Sequence, residues 1–287
     1  MKNNVGIYHL EKLAEVIETA LYTGVIRDEV PVSILLVGPS GSAKSKLIRK
    51  YECEQTHVTD SITSQGIWEI VQHDSKEEKK FFLMPDINPT LSRRASTTQA
   101  TMGNLLSVTG DGTVRVDDGR GEKITKHSVM GLITACTPEI YHIHSRKWFA
   151  LGLTRRVIPL FYSYCDDTTE KLQKLVKKGE IHSTFGGKNN FKLPEKTQRP
   201  LINDSYSKEI EIKSIQLSVN LGKMAFVDKG QKKWVIKKII PVSPHVTLRT
   251  LAMSHALRRS SMRVEEQDLD FIRSFVAFTD PEAPRQL

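Results

Sequence analysis

Cysteine is scarce in this 287-residue chain, and long apolar runs are absent. The three cysteines, Cys53, Cys136 and Cys165, are widely and unevenly spaced, which matches neither a disulfide framework nor a paired metal motif. No stretch approaches the ~18 consecutive apolar residues of a membrane helix, and the first ten residues lack the apolar core of a signal peptide. The sequence therefore excludes a disulfide-stapled mini-protein and predicts a cytoplasmic protein without membrane contact.

Acidic residues are the minority among the charged residues. There are 33 Asp and Glu against 42 Lys and Arg, which leaves a net charge of +9. Between residues 166 and 245 there are 16 basic and 9 acidic residues, so this stretch carries seven of the nine net positive charges. Such a basic stretch favours nucleic acid as a partner. We interpret residues 165–243 as a basic insertion or linker, in which the lysines around Trp234 are either a nucleic-acid contact or a solvated surface.

Short apolar runs alternate with helical patterns through the first half of the chain. Runs at 30–37, 81–84, 129–135 and 157–162 predict buried strands, and helical spacing recurs at 9–21 and 96–108. Buried strands that alternate with helices predict an α/β fold in which helices cover both faces of a parallel sheet. We assign this core to residues 1–164. Helical spacing also predicts a helix at 210–226 and a small all-helical domain at 244–287.

A turn of small residues connects the first predicted strand to a helical pattern. It consists of Gly38, Pro39, Ser40, Gly41, Ser42 and Ala43, followed by Lys44 and Ser45. The spacing matches the phosphate-binding pattern G-x-x-x-x-G-K-[ST], except that Ala43 replaces the last glycine. Backbone N–H groups of such a loop surround phosphates, Lys44 reaches the terminal phosphates and Ser45 can ligate Mg²⁺. The loop predicts a site for ATP and Mg²⁺, provided that Ala43 has ordinary backbone angles.

An acidic residue follows the second predicted strand. A phosphate-binding loop needs a carboxylate from a partner strand to hold Mg²⁺, and Asp86 is placed to supply it. Enzymes of this kind usually have two successive acids, the second orienting the attacking water, whereas Asp86 stands alone between Pro85 and Ile87. Asp86 could take either of these roles. Alternatively, it caps the turn that begins at Asn88.

From this point the chain resembles the AAA+ ATPases, a family of P-loop NTPases. Thr137, which precedes Pro138 after the third predicted strand, resembles the family's sensor 1. Arg155 lies in a segment similar to the arginine-finger segment, and Arg249 resembles sensor 2. The resemblance implies that Thr137 and Arg249 contact the nucleotide. It also implies that Arg155 reaches the nucleotide of a neighbouring copy in a closed ring, expected to be a hexamer.

A hairpin is predicted at 112–125, because Asp118-Gly119 lies between two β-prone arms. It is similar to the pre-sensor-1 hairpin of a clade that includes MCM-type helicases and MoxR-type chaperones. Its basic residues, Arg115, Arg120 and Lys123, are candidates for contacts with a nucleic-acid backbone, or they belong to a solvated hairpin.

The resemblance implies an ATP hydrolase that acts on DNA as a helicase-like motor or switch, in the replication or maintenance of a phage or mobile element. One alternative is a MoxR-like chaperone that remodels a protein partner. Another is a nucleotide-binding assembly protein that does not hydrolyse ATP, which is suggested by Ala43 and by the missing second acid.

Overall fold

The computed structural model describes residues 10–73, 80–110, 112–117, 123–177, 191–228, 231–236, 239 and 242–287. The strands within these ranges are β1 (Ser33–Val37), β2 (Thr56–Val58), β3 (Phe81–Met84), β4 (Thr113–Asp117), β5 (Lys123–His127), β6 (Gly131–Cys136), β7 (Val157–Ser163), β8 (Lys223–Asp228), β9 (Gln231–Ile236) and β10 (Arg285–Gln286). The helices are α1 (Glu11–Thr23), α2 (Lys44–Arg49), α3 (Ser64–His73), α4 (Asn88–Leu91), α5 (Ala95–Thr109), α6 (Pro138–Ala150), α7 (Leu153–Arg156), α8 (Asp166–Lys177), α9 (Asp204–Gly222), α10 (Val242–Arg258) and α11 (Glu266–Phe278).

Six strands form one sheet in the order β10-β7-β1-β6-β3-β2, and every neighbouring pair is parallel. Successive side chains of a strand point to opposite faces. Accordingly, Ile34 and Leu36 of β1 are buried in one core with residues of α1 and α2, while Leu35 and Val37 are buried in another with residues of α3, α5 and α6. The predicted α/β class, with a parallel sheet covered on both faces, is confirmed.

The C-terminal part of the chain is a helical region, as predicted. Helices α9, α10 and α11 pack together, and α10 also packs along α1. Helix α9 belongs to the stretch that we interpreted as an insertion, yet its Ile210, Leu217 and Leu221 are buried in the core shared with α10 and α11. Helix α9 therefore packs with the helices that follow residue 244. No helix in the described ranges is long and apolar enough to cross a membrane.

Two antiparallel hairpins lie outside the sheet. Strands β4 and β5 form the hairpin predicted near 112–125, with Arg115 opposite Thr125 and Asp117 opposite Lys123. Strands β8 and β9 form a second hairpin, which the sequence analysis did not predict. The helix predicted for 210–226 is therefore wrong beyond residue 222. Its last residues pair with β9, and helical spacing in one segment carries no information about such a strand partner.

Candidate functional site at the carboxyl edge of the sheet

Three neighbouring strands of the sheet end beside one another. Strands β1, β6 and β3 are adjacent and parallel, so their carboxyl ends lie at one edge. Backbone hydrogen bonds join the segments that follow: Gly38 N donates to Cys136 O at 3.4 Å, and Ile87 N donates to Ala135 O at 3.0 Å. These bonds bring together the loop of residues 38–43, the turn that contains Asp86 and the segment that contains Thr137. Such an arrangement is expected for a binding crevice at the carboxyl ends of parallel strands.

The loop between β1 and α2 has two residues in the left-handed region. Gly41 has φ 73° and Ala43 has φ 60°. A non-glycine residue in this conformation is strained by about 1–2 kcal/mol, because its Cβ approaches the following carbonyl. The condition that Ala43 has ordinary angles is therefore not met, and the rest of the loop has to hold this residue in place. No atom of the described residues lies within 4 Å of a Cβ built at Gly41, so there is open space beside this residue.

Lys44 lies folded over its own loop. Its Nζ donates to the carbonyl oxygens of Gly38 at 2.7 Å and Pro39 at 2.6 Å, and to Ser42 Oγ at 3.2 Å. Burial lowers the pKa of Lys44, while the nearby Asp86 and Glu139 act in the opposite direction. The ammonium group is thus placed at the loop, where its hydrogen bonds to neutral oxygens can be exchanged for stronger ones to an anion.

Ser45, in α2, and Asp86, in the turn after β3, lie close together because α2 contacts this turn. Ser45 Oγ donates to the carbonyl of Pro85 at 3.2 Å, which places this hydroxyl next to the residue that precedes Asp86. The exposed Asp86 carboxylate accepts a hydrogen bond from Asn88 N at 2.9 Å. The predicted turn-capping contact is therefore present, and it occupies one oxygen of the carboxylate. A hydroxyl and a carboxylate are the oxygen ligands that Mg²⁺ takes in proteins.

Thr137 stands between β6 and α6, at the N-cap position of the helix. The polar side chain of Thr137 lowers the pKa of Glu139, an acid in the first turn of this helix. Glu139 is exposed, and its charge acts on Lys44. Glu139 is a second acid at this edge, and the sequence motifs did not single it out. The available signal was its position in the first turn of a helix that directly follows a buried strand, where the helix dipole stabilises an acid.

Two tyrosines from the end of β7 also reach the loop and were missed. Tyr162 and Ser42 share a hydrogen bond between their hydroxyl groups at 2.9 Å, and Tyr164 OH donates to the carbonyl of Ser42 at 2.7 Å. Strand β7 pairs directly with β1, with Phe161 opposite Val37. No local sequence motif indicates that these tyrosines meet the loop, because the contact depends on which strand lies next to β1.

Arg155 lies at the opposite edge of the sheet. It belongs to α7, immediately before β7, and it is exposed. With Arg156 it lines a cavity of about 440 Å³, which Val32 and Thr247 also line. Val32 directly precedes β1, and Lys44 follows the other end of β1, so the length of the strand, about 15 Å, separates the two edges. The structure does not bring Arg155 to the Lys44 of the same chain.

Arg249 lies at the same edge as Arg155. Its guanidinium donates to Glu29 Oε1 at 2.8 Å, and Thr250 donates to the other oxygen of Glu29 at 2.9 Å. Glu29 is only 4% exposed and also pairs with Arg199 at 3.1 Å. The resemblance places Arg249 beside the nucleotide, whereas the structure pairs it with a buried carboxylate that precedes β1. Within one chain Arg249 and Lys44 therefore do not meet.

The candidate nucleic-acid residues lie on the first hairpin. Arg115 is in β4, where it lies opposite Thr125. Lys123 is in β5, where it lies opposite Asp117, two residues after Arg115. Arg120 lies outside the described residues. Among the residues that the structure describes, no group of three or more His, Cys, Asp and Glu is arranged to hold a metal ion.

A scan against protein-family models found no match for this chain. A search of curated proteins returned no match either.

Proposed function

We propose that the protein binds ATP and Mg²⁺ at the carboxyl edge of the sheet and hydrolyses ATP, as a member of the AAA+ group of P-loop NTPases. One observation carries the proposal: Lys44, Ser45, Asp86 and Thr137 come from three segments that are distant in sequence and adjacent in the sheet. A structural turn into a helix has no need for a carboxylate and a threonine at the ends of the two next strands. Phosphoryl transfer needs a cation, a metal ligand and a polar group around one anion.

The residues of this edge suit the proposed ligands. Within the described residues, the Lys44 ammonium donates to two carbonyl oxygens and to the Ser42 hydroxyl, all of them neutral, so an arriving phosphate offers it a stronger acceptor. Ser45 and Asp86 provide the oxygen atoms for Mg²⁺. Thr137 and Glu139 lie at the same edge, and Glu139 is the acid available to orient a water molecule. Bound ATP supplies the transferred phosphoryl group.

The position of Arg155 supports a head-to-tail ring. Phosphoryl transfer gains strongly from an arginine that stabilises the developing charge, and this arginine can come from another subunit. Arg155 is exposed and lies a strand length away from the Lys44 of its own chain. A second copy that presents Arg155 to the Lys44 edge completes the site, and repetition of this contact closes a ring, for which we propose six copies.

Nucleic acid is the proposed partner of the ring. The net charge of +9 favours an anionic polymer, and the hairpin β4–β5 carries Arg115 and Lys123. Phosphate contacts of this kind provide binding that does not depend on base sequence. We propose DNA as the polymer on which ATP hydrolysis acts, with the protein as a motor or switch.

ATP turnover across a series of protein concentrations tests the proposal, with and without single- and double-stranded DNA. We expect turnover per subunit to rise with concentration, because assembly completes the site, and to rise again with DNA. Lys44→Ala is the blank, and Arg49→Ala is the matched control, because Arg49 lies on the same helix and is paired with Asp60. If the wild-type protein and Lys44→Ala bind ATP equally, the proposed site is wrong.

The DNA assignment has a separate test. Removing Arg115 and Lys123 together should reduce the slope of log affinity against log salt by about 2, one for each lost phosphate contact. An unchanged slope contradicts the hairpin contact. Turnover that responds to a protein partner and not to DNA would support the MoxR-like chaperone instead.

A specific observation favours a second candidate, a nucleotide-dependent switch without hydrolysis. Asp86 is the only acid of its strand end, and one of its oxygens is occupied by the Asn88 N–H. ATP binding with assembly but without phosphate release at any protein concentration would favour this candidate.

A further inference from the structure

Ser42, in the loop between β1 and α2, is bonded through both its side chain and its backbone. Its side chain is buried, its hydroxyl pairs with Tyr162 OH at 2.9 Å, and its carbonyl accepts from Tyr164 OH at 2.7 Å. The same hydroxyl accepts a hydrogen bond from Lys44 Nζ at 3.2 Å. Both the side chain and the backbone of Ser42 are thus bonded to β7 or to its end, and the side chain is also bonded to the lysine of the site.

The sheet explains why these contacts form. Strand β7 runs beside β1, and Phe161 lies opposite Val37, the last residue of β1. The next residue, Tyr162, therefore faces Gly38, the first residue of the loop. A Cβ at Gly38 would lie 2.4 Å from the Tyr162 ring. Glycine is therefore required at Gly38 for the ring to pass, which is a role distinct from the approach of a phosphate.

Both phenols are held in their protonated form. Burial raises the pKa of Tyr162, and it raises the pKa of Tyr164 to about 12. A protonated phenol donates a hydrogen bond, and the Ser42 carbonyl receives the one from Tyr164. The net contribution of one such hydrogen bond to the stability of the loop conformation corresponds to a factor of about five in an equilibrium constant.

The residue after Ser42 is the one that needs support. Ala43 is in the left-handed region at φ 60°, where alanine is disfavoured and glycine is not. The α2 helix and Lys44 begin directly after it. If Ser42 were released, Ala43 could relax to a negative φ, and the start of α2 would turn away from the loop.

We propose that Tyr162 and Tyr164 are positioning residues for the phosphate loop: they hold Ser42 so that Ala43 stays left-handed and the loop keeps its phosphate-receiving shape before any ligand binds. The inference rests on the proposed function, since it assigns these tyrosines to the same ATP site. It differs from a purely structural role, because it couples Tyr164 to the residue type at position 43.

A double-mutant cycle tests this coupling. Tyr164→Phe, Ala43→Gly and the double variant are compared with the wild-type protein for ATP affinity by titration calorimetry. We expect Tyr164→Phe to weaken ATP binding about fivefold to tenfold. Ala43→Gly should recover at least threefold of this loss in the Tyr164→Phe background and change the wild-type affinity less, because glycine removes the strain that the tyrosine opposes.

Tyr51→Phe is the matched control. Tyr51 is also a buried tyrosine with a bonded hydroxyl, which donates to Ala14 O at 3.2 Å and Glu18 Oε1 at 3.1 Å and does not contact Ser42. We expect Tyr51→Phe to lower stability without a change in ATP affinity. Equal losses of affinity in Tyr164→Phe and Tyr51→Phe, or an Ala43→Gly effect that is the same in both backgrounds, would overturn the proposal.

Hydrogen exchange in the ligand-free protein separates this inference from the proposed function. We expect Tyr164→Phe to speed amide exchange in the peptide that covers residues 38–45, and Tyr51→Phe to leave it unchanged. If the wild-type protein binds no ATP, the proposed function is wrong. The holding role of the tyrosines is then still decided by exchange, and an unchanged rate in Tyr164→Phe overturns it.

Discussion

The two edges of the parallel sheet differ in how their charged residues are held. At the carboxyl edge, Lys44, Ser45, Asp86 and Thr137 lie close together, and the lysine is engaged by oxygens of its own loop. At the amino edge, Arg155 is exposed beside a cavity, while Arg249 is bound to the buried Glu29. The carboxyl edge is the one at which we propose that ATP and Mg²⁺ bind.

The difference between the arginines at the amino edge is instructive. Arg249 has a partner of opposite charge in its own chain, so its position is explained by the stability of the fold. No such pair is found for Arg155 within the described residues, and this arginine is available to another molecule. The sequence pattern ranks the two arginines equally, whereas the structure gives Arg249 an ion-pair partner in its own chain and shows none for Arg155 among the described residues.

The largest effect on this comparison is expected for Arg155→Ala. It should lower ATP turnover by a factor of at least about 10³, because the charge of the transition state loses its arginine, and leave ATP affinity unchanged. Mixing this variant with Asp86→Asn should restore measurable turnover, since each supplies the half that the other lacks. Arg156→Ala is the control, because Arg156 donates to Leu106 O at 3.0 Å within its own chain. A mixture that stays inactive contradicts a site shared between copies.

Glu139→Gln sharpens the description of the carboxyl edge. If Glu139 orients the attacking water, the variant should lower turnover by about 10² and keep ATP affinity, because the side chain keeps its size and loses its charge. Glu69→Gln changes an exposed acid of α3 and serves as the control. Steady-state kinetics with unaltered turnover in Glu139→Gln would assign the second acidic role elsewhere.

Arg249→Ala tests the amino edge. The variant leaves Glu29 with Arg199 and Thr250 only, so the free energy of unfolding should fall by about 1 kcal/mol, a value reduced for the 40% exposure of Arg249. Urea denaturation measures the change, and ATP affinity should stay the same. A loss of ATP affinity at unchanged stability would instead support the sensor 2 role.

The smallest effect is expected for a buried ionic cluster that belongs to neither edge. His255 contacts Asp268 at 2.6 Å and Glu15 at 3.2 Å, which joins α10 to α11 and α1. Burial on its own lowers the pKa of His255, but the hydrogen bonds to Asp268 and Glu15 outweigh burial and raise it above the usual 6.5. The protonated histidine therefore stabilises the fold below pH 6.5, and this contribution is lost as the pH rises through the raised pKa.

The pH dependence of unfolding tests this assignment. The same contacts lower the pKa of Asp268 and Glu15, so the contribution of these carboxylates is lost only as the pH falls through the lowered values. Thermal unfolding of the wild-type protein should therefore show stability that declines from pH 6.5 upward. His255→Gln should remove this decline, and a decline that persists in the variant would assign it to another group.

Much of the fold follows from local patterns in the sequence. The strands β1, β3, β6 and β7 lie within or next to the predicted apolar runs, because a strand buried on both faces must be continuously apolar. Helix α9 and strand β8 show the limit of such patterns. The helix predicted from apolar spacing is correct up to residue 222, where α9 ends. The residues that follow form β8 and pair with β9, and the spacing of apolar residues within one segment does not indicate such a pairing.

The sequence by itself determined the parallel α/β core and the residues of the phosphate-type loop, since strand burial and loop chemistry depend on neighbours along the chain. Only the tertiary structure decided that Ala43 is left-handed, that Tyr162 and Tyr164 are bonded to Ser42, and that the charge of Glu139 acts on Lys44. It also decided on which edge the arginines lie. These features depend on strand order and on contacts between distant segments, and the energy of such contacts exists only after the sheet has formed.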